Sequence, residues 1–166
     1  MKLALRALAA GGLATALVGT MSAAADASTT DSTVTITATR AAGPGQRADV
    51  ITCKITTHNP HYSHHADAKN RSMVNVTADI KCTKKVAGLA IQVVLFKEKA
   101  RYKTSGVKKA YGKSSVSQNA ARRCVKRHHY TGVAAGTVVF PAGYTPPSKN
   151  VRDQSKTVYI AACKKK

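Results

Sequence analysis

From Met73 to Cys82 apolar and polar side chains alternate: Val74, Val76, Ala78, Ile80 and Cys82 fall on one side, Met73, Asn75, Thr77, Asp79 and Lys81 on the other. A period of two is that of a half-buried β-strand. The same phase runs through Ile51, Cys53 and Ile55, which oppose Thr52, Lys54 and Thr56, and through Val34, Ile36 and Ala38, which alternate with threonines. Leu89, Ile91, Val93 and Leu95 form an inward face, and Val94 and Phe96 make the other face apolar too, as in a central strand. Val133–Phe140 and Thr157–Cys163 add two more strands, and a weaker one passes through Cys124. Turn signals separate them at Asn59-Pro60, Ser105-Gly106, Gly112, Pro141-Ala142-Gly143 and Pro146-Pro147.

No helical periodicity follows residue 25, so the pattern predicts an all-β fold, an immunoglobulin-like antiparallel sandwich of about seven strands. Residues 104–118, rich in Ser, Lys and Gly, read as a long exposed hairpin or loop, and residues 28–33 as a loose leader. The N-terminus reads differently. Lys2 and Arg6 precede an uncharged apolar run from Ala7 to Gly19, and small residues stand at −3 and −1 for cleavage after Ala25 or Ala27. This is the signal-peptide pattern, with an apolar run shorter than the ~20 residues that span a bilayer. The longest later apolar stretch, Val86 to Phe96, is broken by Gln92, so no transmembrane segment is expected in the mature chain. The domains expected are 1–25 signal peptide, 26–48 leader with a possible first strand, and 49–166 disulfide-bonded β domain, secreted and extracellular.

Four cysteines, Cys53, Cys82, Cys124 and Cys163, follow the leader. An even count in an exported chain implies two bridges, and three pairings are possible. Cys53–Cys82 with Cys124–Cys163 is preferred, because each closes a moderate loop between neighbouring strands. A cysteine zinc site needs close pairs such as CxxC, which are missing. Charge adds a second constraint. Two of the 27 Lys and Arg, Lys2 and Arg6, lie in the signal peptide, which leaves 25 against 7 Asp and Glu. A charge so far from zero opposes folding by self-repulsion and suits an anionic partner.

The series Cys53…Asn59-Pro60-His61-Tyr62-Ser63-His64-His65, Val74-Asn75-Val76…Cys82, Asn119-Ala120-Ala121…Cys124 and Phe140-Pro141-Ala142-Gly143-Tyr144-Thr145-Pro146-Pro147…Cys163 resembles a group of small secreted two-disulfide bacterial proteins of uncharacterised function. The resemblance implies export, two bridges and a β fold, and adds no activity.

Three constellations could carry chemistry. His58, His61, His64 and His65 lie within eight residues around Tyr62 after a strand, a loop that could hold Zn or Cu and serve a metal-binding or adhesive exported module. Arg122-Arg123-Cys124-Val125-Lys126-Arg127, read as a strand, sends Arg122 and Lys126 one way and Arg123 and Arg127 the other. Lys97, Lys99, Arg101 and Lys103 share a period-two face and read as a second cationic stripe. More cations stand at Lys108, Lys109 and in the tail Lys164–Lys166. Clustered cations bind polyanions by releasing counterions, so the expected partner is an anionic polymer or surface: cell wall, anionic lipid or nucleic acid. With two Phe, six Tyr and no Trp, a base-stacking platform is not expected. The carboxylates are scattered, and neither a GxSxG elbow nor an HExxH helix is present. No catalytic residue and no resident cofactor is therefore assigned, and a secreted His/Lys ribonuclease-like enzyme stays as the enzymatic alternative.

Overall fold

The computed structural model describes residues 31–63 and 72–163. The segment 1–25, His64, His65 and the tail Lys164–Lys166 lie outside the described residues. Among the described residues there are eleven strands: β1 (Ser32–Arg40), β2 (Asp49–Thr57), β3 (His61–Ser63), β4 (Met73–Cys82), β5 (Gly88–Lys97), β6 (Ala100–Thr104), β7 (Lys108–Tyr111), β8 (Ser115–Arg123), β9 (His128–Val139), β10 (Ser148–Gln154) and β11 (Val158–Ile160). All pairings are antiparallel, and they form one sheet of five strands and one of six. This is the sandwich that the strand alternation predicts.

In the first sheet β1, β2, β4 and β8 lie side by side, and β3 continues the line of β2 along β4. In the second, β9 lies between β5 and the successive strands β10 and β11, while β7 and β6 share the far edge of β5. Thus β2, β4 and β8 take the places of strands A, B and E of an immunoglobulin-type sandwich, and β5, β9 and β10 those of C, F and G. The possible first strand of residues 26–48 is β1, which pairs with β2 along nine residues. Residues 104–118, read from composition as a long exposed hairpin or loop, carry all of β7 and the first four residues of β8.

The core sits where alternation puts it: Ile51, Ile55, Val74, Val76, Ile80, Ile91, Val93 and Leu95 are all buried between the sheets. The inward row of β9 is small at its centre, with Gly132, Ala134 and Gly136 between Tyr130 and Val138. A Cβ on Gly132 would lie 2.2 Å from Val76 Cγ2, so the two sheets approach closely there. The bridges are Cys53–Cys82, between facing residues of β2 and β4, and Cys124–Cys163, which joins the end of β8 to the residues after β11.

Tyr130 fixes the corner between β8 and β9. It is fully buried, and its hydroxyl donates to Val125 O at 2.8 Å and accepts from Val125 N at 3.0 Å. This is the tyrosine corner of immunoglobulin-type sandwiches, at the same E–F turn. Tyr130→Phe keeps the ring but leaves both backbone groups of Val125 without this partner, so it is expected to cost about 1–3 kcal/mol in urea unfolding.

Candidate functional site

The cations that alternation groups along the sequence are regrouped by two turns. β5 ends at Lys97, and Glu98 and Lys99 form a tight turn with φ of 46° and 68°. The register between β5 and β6 then slips, so that Leu95 faces Lys103 while Phe96 faces Arg101. Lys97 and Lys103 consequently reach the open edge between the sheets, whereas Arg101 stands beside outward-facing Phe96 and Lys99 borders a cleft on the outer face. The single stripe of Lys97, Lys99, Arg101 and Lys103 does not exist.

The second run is also divided. β8 stops at Arg123, Cys124 is tethered, and Arg127 turns with φ 61° while its N–H bonds Ile160 O. Lys126 and Arg127 therefore belong to the corner loop, and only Arg122 and Arg123 end the strand.

What the fold brings together is the edge where β8 of one sheet meets β6 of the other. Lys103, Arg122 and Arg123 line a cleft of about 520 Å³ with Met73 and Ala121. Tyr102, between the cations of β6, holds this edge. The Arg122 guanidinium lies 4.7 Å from its ring centroid and Lys97 Nζ 5.2 Å from it. Arg122 donates to the Tyr102 carbonyl, and the Tyr102 hydroxyl donates to Arg123 O at 2.8 Å. The ring also packs at 6.1 Å on Tyr130. Each cation beside the ring gains about 0.5–1 kcal/mol at an exposed site, which offsets part of their mutual repulsion.

The described carboxylates all serve elsewhere. Asp49 pairs with Arg40 and Lys84 and accepts from Tyr144. Glu98 accepts from the His129 N–H at 2.7 Å, which holds its carboxyl below the usual 4.5, and lies against the rings of His128 and His129. Buried Asp153 accepts from Ser32 Oγ and Thr57 N, tying β10 to the first sheet. Asp31 and Asp79 both face His58. Among the described residues, Lys97, Lys103, Arg122 and Arg123 have no carboxylate within ion-pairing distance.

Of the histidine loop, His58 and His61 lie among the described residues. His58 Nδ1 lies 2.6 Å from Asp31 Oδ2 and Nε2 lies 2.8 Å from Asp79 Oδ2, so both ring nitrogens are engaged. His61 Nδ1 faces Asn59 O at 3.3 Å, and His64 and His65 lie outside the described residues. No group of three or more His, Cys, Asp or Glu among the described residues is placed to hold a metal. Local sequence carries no sign of this clamp, because its acids stand 27 and 21 residues from His58.

Burial opposes the charged imidazole, but the bonds to Asp79 and Asp31 outweigh it and raise the His58 pKa above 6.5. A raised folded pKa stabilises fully below 6.5, and that stability fades as pH climbs through the raised value. Thermal unfolding of the native protein should therefore lose midpoint temperature over that interval, and His58→Gln should flatten the loss. Equal pH profiles for the two would contradict the clamp.

No model of a known protein family matches the chain, and no curated protein matches it. Among the described residues no helix is long and apolar enough to cross a membrane.

Proposed function

We propose that the protein is an exported, non-enzymatic β-sandwich that binds phosphate-bearing polymers along the β6–β8 edge. The supporting observation is the cleft lined by Lys103, Arg122 and Arg123, with Lys97 beside it and no carboxylate pairing any of the four among the described residues. Like charges held together at an open edge oppose folding, and a polyanion is the partner that relieves them. Two disulfides fit an oxidising compartment outside the cytosol, in keeping with the leader pattern.

The mechanism is counterion release. Each phosphate neutralised frees condensed cations, so affinity falls with a log–log salt slope of about −0.9 per duplex phosphate contact. Guanidinium groups at Arg122 and Arg123 give forked donors to phosphate oxygens, and Lys103 adds a point charge. Phosphate contacts carry no sequence information, so sequence selection is not expected. Binding to a random-sequence DNA duplex, measured at about 50 mM and about 200 mM salt, tests the reading. A slope near −3 or steeper supports it, and a flat slope or no binding at the lower salt removes it.

A further inference from the structure

The outer face of the second sheet has a different chemistry. Register places Gln92, Ala135 and Arg152 in one row across β5, β9 and β10, with Ala90, Thr137 and Asn150 in the next. Val94, Val133 and Gln154 form the row on the other side. The middle strand thus carries the short side chains, and the longer amide and guanidinium arms stand mainly along the flanks. The result is a trough along β9, seen as two clefts of about 430 and 580 Å³ that share Arg152. Rows two residues apart are spaced by about 7 Å, so the floor from Thr131 to Thr137 runs about 20 Å.

The polar groups of the trough are partly committed in a way that fixes what remains. Gln92 Nε2 donates to Ser105 O, which leaves its Oε1 to accept. Thr137 Oγ1 donates to Asn150 Oδ1, which leaves the Asn150 amide hydrogens to donate. Arg152 pairs with no carboxylate among the described residues. Donors and acceptors alternate over small side chains, the arrangement that sugar hydroxyls need, since each both gives and takes a hydrogen bond. One guanidinium in three rows does not match a polymer charged at every unit. It matches a chain whose carboxylates are carried on sugar rings, one of them meeting Arg152 in forked fashion.

We propose that this trough binds a linear, uronic-acid-bearing glycan, with Arg152 on a ring carboxylate and Gln92, Asn150 and Gln154 on ring hydroxyls. The site is separate from the β6–β8 edge and does not depend on it.

The test is backbone-amide NMR of the mature chain with a tetrasaccharide of alternating glucuronic acid and glucose units and with the all-glucose tetrasaccharide of the same linkages. Salt at about 300 mM screens the cationic edge. Binding of the acidic sugar should perturb residues of β5, β9 and β10 around Ala135. Arg152→Gln should weaken it roughly tenfold and abolish its preference over the neutral sugar. Ala135→Trp, which fills the trough from an exposed position, should remove binding with the unfolding transition unchanged, and Asn150→Ala should weaken it if the tryptophan variant fails to fold. Perturbations confined to Lys103, Arg122 and Arg123, indifference to both Arg152→Gln and Ala135→Trp, or no binding at all would overturn the proposal. Self-association abolished by Ala135→Trp would assign the face to a second copy instead and overturn it equally.

Discussion

Gly132→Ala is expected to lower unfolding stability by about 3 kcal/mol, near the upper end for overpacking of a core. The added Cβ would lie 2.2 Å from Val76 Cγ2, 3.2 Å from Val76 Cβ and 3.3 Å from Ser155 Oγ. Val76 is fully buried and β-branched, so it has little rotamer freedom with which to move aside. Shifting β9 outward instead would strain the two bonds that Gly132 makes with Ser155, N to Oγ at 2.8 Å and O to N at 2.9 Å. Gly136→Ala should cost less, since its nearest neighbour, at 2.7 Å, is the terminal methyl of Ile80. Urea midpoints at constant m-value would show the order. A Gly132→Ala loss within about 0.5 kcal/mol, the level of ordinary surface changes, would mean that the sheets are not so closely packed at β9.

The second large effect concerns binding. Replacing Lys103, Arg122 and Arg123 together by alanine should reduce affinity for duplex DNA roughly a thousandfold at about 50 mM salt. Each phosphate left without its cation takes about 0.9 from the slope, and that salt lies about 1.3 decades below 1 M, where the electrostatic contribution vanishes. The triple variant should also show a slope shallower by about 3. Its stability should hold, because the cation–π attraction of Arg122 for Tyr102 is small and the repulsion relieved acts in the opposite direction. Three neutralisations at Lys54, Lys84 and Lys149, away from the edge, form the control. An equal loss in both variants would mean that net charge alone sets affinity. It would remove the edge as a site.

The faces of β2, β4 and β5 were legible because each buries one side against a complete opposing sheet, so apolar residues alternate without a break. β7 and β8 were not. They lie at sheet margins, where Lys108, Lys109 and Ser117 remain in water and only Val116 and Ala120 mark the inward side of β8. The cationic stripe failed at a turn without the usual residues: Glu98 and Lys99 both take positive φ, which Gly, Asn or Asp would have signalled. Alternation counted across that turn assigns Arg101 to the wrong side. The site itself was half legible. Lys103, Arg122 and Arg123 stood in the sequence as cations, but nothing in local order showed that β6 and β8 meet. Tyr102, which holds them, was one aromatic among lysines. His58 was grouped with its sequence neighbours, whereas its partners come from β4 and from the residue before β1.

The most direct test of the β6–β8 edge is a backbone-amide NMR titration of the protein with a short oligophosphate at about 50 mM salt. The account predicts shifts concentrated at Arg101–Lys103 and Ala121–Arg123, with the Arg122 side chain drawn away from Tyr102. Small shifts spread evenly over all lysine- and arginine-bearing strands would contradict it and leave the charge without a site.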